Sequence, residues 1–195
     1  MGNWGDDPFT KKAKRENYEA RSIYKLEEID KREKLFSGVK SVVDLGASPG
    51  SWTQYCLKKL NAPAKIVSVD ISPLGFSDPR VIFLQESIET VDLTPHIAGG
   101  KVDLVLSDMA PKTSGQHDRD VALSTELAEL ALVTAQKFLK PGGGFVVKLF
   151  MGDSFEAYHK TLKKHFETVR ILRPESTRKH SREVFLIGKG FRQSA

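Results

Sequence analysis

Lys148 stands inside Phe145-Val146-Val147-Lys148-Leu149-Phe150, an otherwise wholly apolar run. Burial, or a neighbouring cation, disfavours an ammonium and favours the neutral amine, which can take a proton from a substrate. The plainer alternative is a lysine that emerges at a strand end and pairs with an acid. Three acids also close apolar runs: Asp44 after Val42-Val43, Asp70 after Val67-Ser68-Val69, and Asp108 after Leu106-Ser107. Ligands of open parallel sheets bind beyond the carboxyl ends of the strands, so these carboxylates should line one crevice. Met-Ala-Pro follows Asp108.

Gly46 and Gly50, in Gly46-Ala47-Ser48-Pro49-Gly50-Ser51-Trp52, join an apolar run to a helix start. Without side chains they let the backbone approach a ligand, and a helix N-terminus offers free N–H groups. The spacing is GxxxG, which matches neither GxxxxGK[ST] nor GxGxxG, so the usual pyrophosphate cradle is missing. Asp70 follows Gly50 by 20 residues, where an acid typically accepts from ribose hydroxyls. A nucleoside cofactor without a pyrophosphate remains, and S-adenosylmethionine fits. The competing reading is an ordinary α/β turn with a strand-end acid.

The elements that would position these residues alternate along the chain. Helical spacing runs over Glu16–Lys34, with Tyr18, Ile23, Leu26 and Ile29 near one face. Strands are predicted over Val39–Leu45, Ala64–Asp70, Val81–Leu84, Val102–Asp108, Gly144–Phe150, Val169–Leu172 and Glu183–Ile187. Helices are predicted over Ser51–Leu60, Leu123–Leu139 and Phe155–Phe166, the second stopped by Lys140-Pro141-Gly142-Gly143. Alternation implies an α/β fold with a largely parallel sheet, helices on both faces. The last two strands, having no helix between them, should form an antiparallel pair at one edge. Residues 1–10 read as a flexible tail, 11–38 as a basic helical extension and 39–190 as the core of a single domain spanning 11–195.

The 195 residues carry 30 Lys and Arg against 25 Asp and Glu, a net charge of +5. Lys11–Lys25 and Arg170–Arg192 hold six and seven bases, each against two acids, whereas Gln85–Ala135 holds nine acids and three bases. Basic ends around an acidic middle suit a polyanion, provided the ends meet in space. Solvated helix faces are the alternative. A single cysteine, Cys56, excludes an internal disulfide framework and a thiolate-rich zinc site, and the five histidines show no metal-ligand spacing. No metal is expected. No apolar run approaches the roughly 18 residues of a membrane helix. Asp6 stands where a myristoylation signal after Met1-Gly2 wants Ser or Thr. A cytoplasmic, membrane-free protein is the expectation.

Lys25, Asp108, Lys148 and Glu183 match the Lys-Asp-Lys-Glu tetrad of ribose 2′-O-methyltransferases. With DLGASPGSW, SDMAP, LKPGG and FVVKLF in that order, the chain from about Arg21 to Gly190 resembles the FtsJ/RrmJ family of RNA methyltransferases. The resemblance implies a Rossmann-like class I S-adenosylmethionine-dependent fold and methyl transfer to a ribose in RNA, a uridine of large-subunit ribosomal RNA. It makes Lys148 the base, Asp108 the group that holds it near the sulfonium, and Lys25 and Glu183 the electrostatic surround. Lys25, as a nearby cation, should favour the neutral form of Lys148. Cofactor contacts fall to Gly46, Gly50, Trp52, Asp70 and Asp108. Where the family often has an acid for the adenine amine, this chain has Ser87, so Glu86 or a backbone group could substitute. The implied setting is rRNA processing during ribosome biogenesis, by a monomer acting on RNA. A tRNA acceptor, a catalytically silent RNA-binding module and a nicotinamide oxidoreductase are the other readings; the intact tetrad opposes the second, and the missing GxGxxG and Tyr-x-x-x-Lys the third.

Overall fold

Burial on both faces explains the sheet. A computed structural model describes residues 7–61, 63, 65–178 and 180–193. Strands β1 (Ser41–Leu45), β2 (Lys65–Val69), β3 (Val81–Leu84), β4 (Val102–Ser107), β5 (Leu139–Phe150), β6 (Phe166–Leu172) and β7 (Glu183–Phe191) form one sheet, ordered β3-β2-β1-β4-β5-β7-β6. The first five pair in parallel, and β7 runs antiparallel to both β5 and β6. Apolar residues occupy successive positions in the central strands because helices cover either side. On one face Val43, Val105, Phe145 and Val147 pack under α4 (His117–Phe138) and α5 (Phe155–His165). On the other, Val42, Leu104, Val146 and Phe185 pack under α2 (Ile23–Glu33) and α3 (Ser51–Lys59).

Several predicted boundaries shift. Helix α1 (Pro8–Arg15) starts inside the segment expected to be a tail, capped by the Asp7 carboxylate on the Thr10 N–H; residues 1–6 of that segment lie outside the described residues. The helix expected over Glu16–Lys34 is broken: Asn17 turns left-handed at φ 59° and α2 begins at Ile23. Tyr18 thereby meets Tyr24 edge-on, with ring centroids 6.4 Å apart. The predicted start of the second strand, Ala64, and Lys179 of the basic run also lie outside the described residues. Helix α4 starts at His117 instead of Leu123 and ends at Phe138, and β5 follows at once. Pro141–Gly143 is absorbed by a register shift against β4 instead of forming a separate loop.

The order β2-β1-β4 reverses the direction of strand addition at β1. The crevice beyond the carboxyl ends of β1 and β4 is therefore where a ligand site is expected.

Candidate active site

A cavity of about 430 Å³ opens at that reversal, lined among others by Gly46, Asp70, Glu86, Ser87, Asp108 and Met109. Both Asp70 oxygens accept backbone N–H groups, from Ser48 at 2.9 Å and Ser72 at 2.8 Å, which fixes the carboxylate in the cavity wall. Ser87 and Glu86 also line the cavity.

Asp44, expected beside them, is beneath the floor and fully buried. Its Oδ2 accepts the Thr53 hydroxyl at 2.7 Å, and Thr53 lies 2.9 Å from the Ser68 hydroxyl. Its Oδ1 has no partner among the described residues. Burial, reinforced by the charges of Asp108 and Asp70, pushes this carboxyl up to about 7.

The two glycines serve the chain's own packing. A side chain at Gly46 (φ 73°) would begin 2.7 Å from Met109 Cγ, and one at Gly50 (φ 124°) 2.5 Å from the Phe76 ring. Gly46 borders the cavity; Gly50 precedes the first turn of α3. Trp52 is buried, its indole N–H donating to the Ser22 carbonyl at 2.9 Å and its ring 5.7 Å from that of Phe185. With the Ser22–Ser51 hydroxyl contact of 2.6 Å, it pins the start of α3 to the start of α2. That junction sets the position of Lys25 in the first turn of α2.

The four tetrad residues come from four elements and meet as two ion pairs. Lys148 is buried on the face of β5 turned towards α2, and its Nζ donates to the Asp108 carbonyl and, at 2.8 Å, to Asp108 Oδ1. Lys25 Nζ lies 2.6 Å from Glu183 Oε1, both side chains largely buried. In the β5–β7 register Lys148 opposes Phe185 and Phe150 opposes Glu183, so Lys148 and Glu183 are diagonal neighbours on one face. Lys25 also sits 5.8 Å from the centre of the Phe185 ring. Lys25, expected as a cation near Lys148 alongside Glu183, is ion-paired to Glu183, which opens β7 at the same sheet edge.

The basic ends do meet. Arg21 bridges Asp7 and the Ser176 carbonyl, and the Glu28 carboxylate accepts the Glu175 N–H at 2.8 Å. The loop between β6 and β7 therefore lies against α1 and α2, beside the tetrad. Among the described residues no helix is long and apolar enough to cross a membrane.

A methyltransferase is the class to which comparison with known proteins assigns this sheet order and crevice. Residues 18–191 match the model of the FtsJ-like methyltransferases, and the chain belongs to that family. A ribosomal RNA large subunit methyltransferase E from Bdellovibrio bacteriovorus is 45% identical over 93% of this chain and 95% of its own. One from Treponema denticola is 44% identical over 95% of each. A crystal structure described as a ribosomal RNA methyltransferase from Plasmodium falciparum superposes with a TM-score of 0.77 at 28% identity, covering 89% of this chain and 98% of that one. Human methyltransferase-like protein 13, solved with SAH, shares the fold at a TM-score of 0.56 and 19% identity, covering 80% of this chain and 74% of that one.

Proposed function

We propose that this chain transfers the methyl group of S-adenosylmethionine to a ribose 2′-hydroxyl of large-subunit ribosomal RNA, at a uridine. The observation that carries the reading is Lys148 held by Asp108 at the edge of the cavity, with the Lys25–Glu183 pair beside it. The names of the relatives at 44–45% identity support the ribosomal acceptor.

The cavity suits the cofactor by volume and by donor set. Asp70 would accept from the ribose hydroxyls, and Glu86 and Ser87 lie where the adenine would reach the rim. Gly46, Gly50 and Trp52 would contribute backbone at the turn and first turn of α3. When bound, S-adenosylmethionine supplies a methyl group on a positively charged sulfur. As a neutral amine, Lys148 keeps two N–H donors, matching the two acceptors on Asp108, and its lone pair takes the remaining tetrahedral position. Lys148 would take the hydroxyl proton as the ribose oxygen accepts that methyl group. Lys25 and Glu183 steady the acceptor ribose, and the rest of the catalysis is alignment. We assign this work to one domain, residues 11–195, acting as a monomer in the cytoplasm, with 11–38 as its basic extension.

Two expected results follow from these roles. Asp70→Ala should weaken S-adenosylmethionine binding by about 1.5–3 kcal/mol, the worth of a hydrogen bond to a charged group. Titration calorimetry on protein with unchanged secondary structure reads this directly; wild-type affinity would remove Asp70 from the site. Replacing Lys11, Lys12 and Lys14 with Gln should lower the salt slope of RNA binding by roughly one unit for each phosphate no longer neutralised. An unchanged slope would make α1 a solvated face.

The acceptor is tested by incubating the protein with methyl-labelled S-adenosylmethionine and either unmethylated large ribosomal subunits or transfer RNA. Label should enter the large-subunit RNA. Label in transfer RNA alone would overturn the ribosomal assignment.

A further inference from the structure

The amino ends of the parallel strands gather lysines that the sequence scatters. Lys40 precedes β1, Lys65 opens β2 and Lys101 precedes β4, and the order β2-β1-β4 sets these three starts side by side. The Lys65 N–H donates to the Lys40 carbonyl at 3.2 Å. A cavity of about 250 Å³ opens there, lined by all three lysines and by His96, with Val67 and Ile97 as apolar wall. The cofactor crevice lies beyond the other ends of the same strands, at Leu45, Val69 and Asp108. Strands of five or six residues, at about 3.3 Å per residue, put the two cavities roughly 15–20 Å apart.

Among the described residues no carboxylate lines this cavity. The acids of the adjoining strand and loop are committed elsewhere. Asp103 accepts the Lys40 N–H, the Ser41 N–H and the Ser41 hydroxyl, each at 2.9 Å, and the Lys140 ammonium at 2.7 Å. Asp92 accepts the Thr94 N–H at 3.0 Å. Lys101 has a structural duty: it donates to the Lys137 carbonyl at 3.0 Å near the end of α4, where a helix terminus favours a cation. Lys40 and Lys65 have no such duty. Both are exposed, and their ammonium groups have neither a hydrogen bond nor an ion pair among the described residues. Like charges around one small space repel, and an anion between them reverses the sign of that energy. Ammonium groups act as point charges, which suits a phosphate. A protein partner would call for an apolar centre, and none of the large exposed apolar side chains, Ile71, Val133, Met151 and Ile171, lines this cavity.

We propose that this cavity binds a phosphodiester of RNA and so anchors a stretch of substrate backbone remote from the acceptor ribose. The assignment rests on the reading of the substrate as RNA, but its direct test needs no methyl transfer. A short RNA duplex of mixed sequence, added to the full-length protein, should shift the imidazole NMR signals of His96, which are identified by their loss in His96→Gln. Lys40→Gln combined with Lys65→Gln should abolish that shift. The same pair should lower the salt slope of duplex binding by roughly two units, one for each lysine that no longer neutralises a phosphate. Unchanged S-adenosylmethionine affinity in the double variant is the control for folding. With unmethylated large ribosomal subunits, the double variant should need about tenfold more substrate for half-maximal transfer. Its maximal rate should stay within about twofold of wild type, since the chemistry lies at the other end of the sheet. Inorganic phosphate, at the phosphate concentration of the duplex, should leave the His96 signals in place. A shift with inorganic phosphate alone would make this a free-phosphate site and overturn the RNA assignment. His96 signals indifferent to the duplex, or a wild-type salt slope in the double variant, would overturn the anchor and leave methyl transfer standing. A duplex-dependent shift in a protein that methylates no RNA would do the reverse.

Discussion

Lys148→Arg and Lys148→Ala are each expected to lose on the order of 10²–10⁴-fold in single-turnover methyl transfer, while both still bind S-adenosylmethionine. The two variants separate proton removal from charge. Arginine keeps the cation, could still reach the Asp108 carboxylate, and cannot lose its proton in the physiological range. If Lys148 only stabilised charge or gripped RNA, arginine would preserve much of the rate and alanine would not. Cofactor affinity is the control for folding and for the Asp70 side of the crevice. An arginine enzyme near the wild-type rate would contradict the base assignment without touching membership of the family.

Asp44→Asn should change how stability depends on pH by on the order of 4 kcal/mol. The wild-type carboxyl, pushed up to about 7 chiefly by burial, holds a proton in the folded state that it releases near pH 4 when unfolded. Its contribution is fully present below about pH 4 and is lost as pH rises through about 7, after which the difference levels off. Other carboxylates oppose this trend: hydrogen bonds from Lys140, Ser41 and the Lys40 backbone hold Asp103 below the usual carboxylate range despite its burial. The wild type must therefore be compared with the asparagine variant, which removes the titration and can still accept the Thr53 hydroxyl. Denaturant unfolding at a series of pH values reads the difference. Parallel curves for the two proteins would show that the buried carboxyl does not titrate in this range.

The sheet was legible because its strands are buried on both faces. Val42–Leu45, Ile66–Val69 and Leu104–Ser107 are nearly continuous apolar runs ending at an acid or a turn, a pattern that needs no partner to be recognised. The boundaries that moved belong to segments whose pattern is set by tertiary contacts. The first turn of α4 is polar, stabilised by Asp118 and Asp120 near its N-terminus and not by an apolar stripe. The break at Asn17, which lets Tyr18 meet Tyr24, is not encoded by any helical period. Tetrad membership came from the resemblance, and the structure adds the pairing: Lys148 to Asp108 and Lys25 to Glu183. Two roles could not be read from residue type. Asp44 closes an apolar run as Asp70 does, yet it pairs with Ser68 inside the sheet, two positions short of Asp70, and is sealed under Thr53 of α3. Trp52 sits in a cofactor motif, yet its indole holds two helices together. A buried indole N–H needs an acceptor, and the Ser22 carbonyl at the start of α2 supplies one.

Where the methyl group lands is the most direct test of the whole account. Large ribosomal subunits lacking the modification would be incubated with the protein and S-adenosylmethionine, and their RNA then cleaved with alkali. A 2′-O-methyl group removes the internal nucleophile for that cleavage, so a phosphodiester resistant to alkali should appear on the 3′ side of a uridine. Methyl label recovered on a base, with every phosphodiester still cleaved, would contradict transfer to the ribose.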